Sequence, residues 1–268
     1  MPPGGAAAEA PGGGDRPPLS QRMRERTAEV HSAADAAINL RLAGALTDRE
    51  RWGRALATFY VVLDHLERLA FEHRAASSGL AAYPLDEMRR APGFVKDLAF
   101  YLGPAWRDRL PDTPGLTAYL AHLDALAAED PLLLLPFLYH LHLGILSGGQ
   151  LLARTARRAM RLPAKEGTEF CALPKGALAA GPLKRRIKGA VDALELDEAS
   201  REKFLAQSVE VFRLNNRIVA ELPAWRVRDV WEILPSKYQS FAKGLAVVAA
   251  ALAISAALRR YHPGPATA

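Results

Sequence analysis

The stretch Leu143-Gly144-Ile145-Leu146-Ser147-Gly148-Gly149-Gln150 decides how this chain is read. It lies inside an apolar run from about Asp130-Pro131 to about Arg161 that predicts one long helix with three glycines in its middle. A glycine inside a helix costs about 1 kcal/mol relative to alanine, so three within six residues need a reason. Either another backbone packs closely there, or a flat ligand lies against the helix and needs both the room and some backbone give. The first half, Leu132 to Leu138, is apolar on all sides and must be central. The second half, Arg154 to Arg161, turns basic and amphipathic and emerges into solvent.

Working outward, the whole chain has 268 residues, half of them apolar and dominated by alanine and leucine. That composition predicts an all-α fold. The lone Cys171 excludes a disulfide framework and any multi-thiolate metal site, and with no histidine near it in sequence it reads as a buried structural thiol. The net charge of +6 is spread over several segments. It suits an acidic protein partner or an anionic ligand, whereas nucleic acid would call for a denser basic stripe.

Residues 1–18 are Pro, Gly and Ala with hardly a large apolar residue, which predicts a disordered tail and no signal peptide. Ser20 is the expected N-cap of a helix to about Leu40, with Met23, Thr27, Val30, His31, Ala34 and Ile38 on one face. Thr47-Asp48-Arg49-Glu50 reads as a capping box opening a long amphipathic helix to about Arg74. A helix from Pro84 to Leu102, interrupted near Pro92-Gly93, follows, and another runs from Thr113 or Pro114 to about Ala128. Pro182 opens a helix with Lys184, Arg185, Arg186 and Lys188 crowded at its start, where cations oppose the helix dipole and an anion would relieve them. Asp197 starts a helix to about Leu222, and Trp225 to Leu234 is a short last one. The domain is thus expected to span 19–235. Residues 244–258 carry no charge and are bracketed by Lys243 and Arg259-Arg260; counted from 238 to 261, with those cations snorkelling, the segment is long enough to read as a C-terminal membrane anchor in preference to a core or interfacial helix.

An inward histidine, a glycine-bearing central helix and a cationic cluster suit one ligand. It is a flat, apolar, dianionic macrocycle whose iron takes an imidazole: heme. With these residues in view, Thr27-Ala28-Glu29-Val30-His31 resembles the proximal-helix motif of the heme oxygenases, and Leu143 to Gln150 resembles their distal-helix signature. Phe212-Arg213-Leu214-Asn215 also looks similar, and the resemblance covers about residues 18 to 235.

The resemblance implies a single-domain helical bundle holding heme between its first, proximal helix and the central kinked distal helix. His31 would be the iron ligand, and Asp35 one turn on would help orient it. Gly144 and Gly148 would lie over the distal face with Gly149 beside them. Arg24, Lys184 and Lys188 would pair with the propionates, and Tyr139 and Phe212 would line the pocket. The implied reaction cuts heme to biliverdin and releases carbon monoxide and iron(II), using dioxygen and electrons from NADPH through cytochrome P450 reductase or a similar donor. Family members with an apolar tail sit in the endoplasmic reticulum membrane facing the cytosol.

One position departs from the pattern. The distal motif normally carries aspartate where this chain has Ile145, and that carboxylate anchors the ordered water that supplies protons during turnover. Isoleucine can neither hydrogen-bond nor titrate. Leu141 likewise stands where some members place an arginine. Other groups therefore hold the water, with Tyr139, His140 and backbone carbonyls as candidates, or the chain is a heme-binding or heme-sensing protein on the same scaffold with weak or lost ring cleavage and a peroxidase-like side reaction. His140 and His142 point roughly 160 to 200° apart on a helix, so at most one faces the pocket. His65, His73, His122 and His262 read as surface or packing residues.

Overall fold

The computed structural model describes residues 17–30, 45–46, 48–164, 166–173 and 179–222. His31, Asp35, Thr47, the short helix after Trp225 and the 238–261 segment lie outside the described residues, as does most of the N-terminal tail. The described residues form helices joined by turns, with no strand among them. The all-α expectation therefore stands.

The first helix, α1, is described over residues 19–30. It buries Leu19, Met23 and Thr27 on the face expected from their spacing. Its start differs from the expectation, because the Pro18 carbonyl accepts from the Gln21 and Arg22 amides at 2.9 and 3.1 Å. Ser20 is thus already helical, and its polar groups are used elsewhere. The second helix, α2 (Arg49–Glu72), is capped by Asp48, which accepts from the Arg51 amide at 2.9 Å. The cap is therefore Asp48 itself. Glu50 turns to Arg54 and Arg109, since two guanidiniums hold a carboxylate better than one amide.

Two short helices, α3 (Ser78–Ala82) and α4 (Leu85–Met88), precede α5 (Ala91–Leu102). The break falls at Arg89-Arg90, ahead of the expected Pro92-Gly93. Pro92 sits in the first turn of α5, where its missing N–H costs nothing. The buried Glu67 carboxylate caps that helix by accepting from the Arg90 and Ala91 amides at 2.6 and 3.2 Å. Helix α6 (Pro114–Glu129) begins after Thr113 as expected. A tight turn over Pro131–Leu134 then leads into α7 (Leu135–Met160), and α8 (Ala180–Asp192) and α9 (Glu198–Ala220) complete the bundle.

Helix α7 is central, packing against α2, α8 and α9. Pro131–Met160 is long and apolar enough to cross a bilayer, but 56% of its most apolar window is buried, so it is the core helix of the bundle. Leu133, Leu134, Leu135, Phe137 and Leu138 fill that core together with Leu63, Leu66, Tyr119, Leu123 and Phe204. Helices α6 and α9 are antiparallel. Glu221 at the end of α9 accepts from the Gly115 amide at the start of α6 at 2.7 Å, and Lys203 near the start of α9 pairs with Glu129 at 2.9 Å. The turn after α6 reverses the chain, so α7 runs alongside α9 in the same direction.

Candidate functional site

The three glycines of α7 separate into two kinds. A Cβ built on Gly149 would lie 2.7 Å from the Cβ of Cys171, a clash that explains the missing side chain by close packing. Among the described residues, nothing lies within 4 Å of a Cβ built on Gly144 or Gly148. Both are exposed, and with spacing of four they share a face. Packing within the described bundle does not account for them. Leu151, 63% exposed and the only large apolar residue so exposed among the described ones, continues that stripe one turn further. Glycine, glycine, leucine along one helix face make a flat apolar wall. Gly149, expected beside the other two, faces roughly 140° away from Gly144 and belongs to the packed side.

That packed side is locked. The segment after α7 docks through the buried Asp97, which accepts from the Glu169 and Phe170 amides at 2.9 and 2.8 Å. Gln150 Nε2 donates to the Cys171 carbonyl at 2.8 Å, and Tyr101 donates to the Gly167 carbonyl at 2.7 Å. Burial pushes the Asp97 carboxyl up to about 6 and the Cys171 thiol up to about 12. Cys171 is therefore the structural thiol expected. His142 is wholly buried on the same side, with Nδ1 3.0 Å from the Tyr83 hydroxyl and Nε2 3.4 Å from Glu67. Burial holds its pKa below the usual imidazole value, with Glu67 opposing, so the ring is neutral there.

His140 is the histidine on the glycine side, one turn before Gly144. Its ring meets Tyr139 and Phe212 edge-on, with centroids 5.1 and 5.0 Å away. The structure thus places Phe212, half-buried on α9, against this wall. Ile145 and Leu141 are half-buried and apolar and offer no polar atom to it.

Cations gather at one end. Ser20 donates its amide and hydroxyl to the Asp192 carboxylate at 2.7 and 2.9 Å, tying the start of α1 to the end of α8. Tyr139 is buried beside Ser20. Burial and the Asp192 charge push its phenol up to about 12, with Ser20 and Arg24 pulling back. Arg24 is exposed one turn along α1 from Ser20, and Lys184, Lys188 and Asp192 follow at steps of four on one face of α8. Three of the expected anion-binding cations, Arg24, Lys184 and Lys188, thus come from two helices joined at Tyr139. Arg186 is different, because it pairs with Glu87 at 2.6 Å. Sequence reasoning missed Asp192 and Ser20 as the joint. The acid one turn after Lys188 was the available signal.

Together these features fit heme: a bare apolar wall for a planar ring and cations at one edge. The class so defined is an all-α bundle whose central helix presents a small-residue face to a flat anionic ligand. Residues 17–221 match the heme oxygenase family, and the chain belongs to that family. It is 32% identical over 223 residues to heme oxygenase 1 of Pongo abelii, covering 82% of this chain and 76% of that protein. It is likewise 32% identical over 209 residues to heme oxygenase 2 of Synechocystis, covering 76% of this chain and 82% of that protein. Among solved structures, heme oxygenase 2 from Chlamydomonas reinhardtii without heme superposes with a TM-score of 0.73 at 28% identity, covering 77% of this chain and 98% of that one. The Synechocystis heme oxygenase-2 structure in complex with heme and NO gives 0.70 at 27% identity, covering 81% and 86%.

Proposed function

We infer that this chain is a heme oxygenase, cleaving heme with dioxygen and supplied electrons to biliverdin, carbon monoxide and iron(II). The observation that carries this reading is the Gly144–Gly148 face, which nothing in the described bundle fills, in a chain belonging to this family. Bound heme supplies both the ring to be cut and the iron at which dioxygen is activated. In this reading His31 is the iron ligand and Asp35 orients it. Gly144 and Gly148 let the ring approach the α7 backbone, while Arg24, Lys184 and Lys188 hold the propionates. Phe212 packs beside the ring edge, and Tyr139 steadies the cationic end through Ser20 and Asp192.

The electrons come, in this proposal, from NADPH through a reductase such as cytochrome P450 reductase. Residues 238–261 anchor the chain in the endoplasmic reticulum membrane with the domain facing the cytosol. Support for the anchor is the apolar composition of that segment and its flanking cations. Purified full-length chain given heme, NADPH and the reductase should accumulate biliverdin; an intact heme spectrum after repeated turnover contradicts the reading. Full-length chain should sediment with vesicles, and chain ending at residue 237 should not. Heme binding without cleavage, raised by Ile145, is separated by Ile145→Asp: a large gain in biliverdin would mean the natural chain cleaves poorly.

A further inference from the structure

Asp192 stands where a carboxylate works against an anionic ligand. It lies one turn after Lys188 on the same face of α8, a spacing at which lysine and aspartate pair across a helical turn. It also ends α8, where the helix dipole disfavours negative charge. Tyr139 lies within electrostatic reach of both Asp192 and Arg24, so the α1 cation is close by as well. Among the described residues, however, Asp192 forms no ion pair with Lys188 or Arg24. Both of its oxygens go to Ser20, which donates its amide to Oδ1 at 2.7 Å and its hydroxyl to Oδ2 at 2.9 Å.

That amide belongs to the first turn of α1, whose N–H groups lack partners inside the helix. The Pro18 carbonyl accepts from Gln21 and Arg22 and leaves Ser20 out. Asp192 thus places its charge against the start of α1, where the dipole favours it. The cations show the counterpart. Arg22, Arg26 and Arg186, on the same two helices, hold carboxylates at 2.9, 3.4 and 2.6 Å. Arg24, Lys184 and Lys188 hold none among the described residues, although Asp192 is within a turn or two of each along its own helix or through Ser20.

We propose that Ser20 is a positioning residue that sequesters the Asp192 carboxylate at the start of α1 and so keeps Arg24, Lys184 and Lys188 free for the propionates. The proposal rests on the heme oxygenase reading, because it needs a ligand with carboxylates at that edge. Released from Ser20, Asp192 turns back to Lys188, neutralises it and repels the incoming propionate. Ser20 acts on the ligand only through Asp192, so deleting the carboxylate should cancel the effect of deleting Ser20. A contact that merely ties α1 to α8 behaves differently: breaking it from either side loosens the bundle, and breaking it from both restores nothing.

The test is a Soret titration of the full-length chain with heme and with heme dimethyl ester, whose propionates carry no charge. Low ionic strength keeps the exposed charges least screened. The proteins are wild type, Ser20→Ala, Ser20→Pro, Asp192→Ala and the double variant Ser20→Pro with Asp192→Ala. Proline removes both donors and is accepted in a first helical turn, as Pro92 shows in α5. Alanine removes only the hydroxyl and leaves the backbone undisturbed. Ser20→Pro should weaken heme binding by about three- to five-fold, the scale of an exposed ion pair, and Ser20→Ala by a smaller factor. Binding of the ester should be unchanged in both. Asp192→Ala and the double variant should bind heme as tightly as wild type or more tightly. Losses shared equally by heme and ester in both serine variants, no loss in either, or no recovery in the double variant overturn the proposal. A wild type that binds heme and makes biliverdin leaves the parent reading intact in those cases. A wild type that shows no Soret shift with heme removes the parent reading, and the role of Ser20 with it.

Discussion

Gly149 and the pair Gly144/Gly148 are the same residue on the same helix within six positions, yet the structure gives them opposite reasons for existing. Gly149 lacks a side chain because Cys171 takes its space, while Gly144 and Gly148 lack one although nothing among the described residues lies there. One side of α7 is therefore built for the fold and the other for a ligand. Substitutions on the packed side should be felt in stability without heme, whereas those on the open side should be felt only when heme is offered.

The largest effect is expected at Glu67. Its buried carboxylate caps α5 and faces His142, so Glu67→Ala strands several buried polar groups and should cost about 3 kcal/mol or more in denaturant unfolding without heme. Gly149→Ala forces a methyl against Cys171 and should cost about 1 to 3 kcal/mol in the same measurement.

His142 predicts a pH effect of definite sign. Its folded pKa lies below the unfolded value of about 6.5, so the unfolded chain binds the extra proton first as pH falls. The stability tied to the neutral ring is present above that pH and declines below it. His142→Phe should lower Tm at pH 7.5 and flatten the acid-side decline between pH 7 and 5 in thermal melts. The smallest change in stability belongs to the open side. Gly144→Ala and Gly148→Ala should each leave the heme-free protein as stable or up to about 1 kcal/mol more so, while weakening heme binding several-fold in a Soret titration.

Much of this contrast was legible in the sequence. The apolar run and its glycines located the central helix, and Thr113, Asp130 and Asp197 marked helix starts because a short polar side chain before an apolar period has few other uses. Lys184 and Lys188 stand out by type and spacing at the start of α8, whereas Arg24 is implied only by the family resemblance. Which glycine packs and which stays open was not legible, because the deciding partner, Cys171, is a tertiary neighbour 22 residues away from Gly149. The cap of α5 escaped for the same reason, since Glu67 reaches it from α2. Ser20 was misread as a cap because its true partner, Asp192, lies 172 positions along the chain.

A crystal structure of the full-length chain bound to heme tests the central claim most directly, through the distance from the porphyrin plane to the backbone of Gly144 and Gly148. Van der Waals contact with both, with the His31 ring on the iron from the opposite face, is the expected result. A porphyrin seated elsewhere, or one separated from both glycines by intervening side chains, would contradict the account.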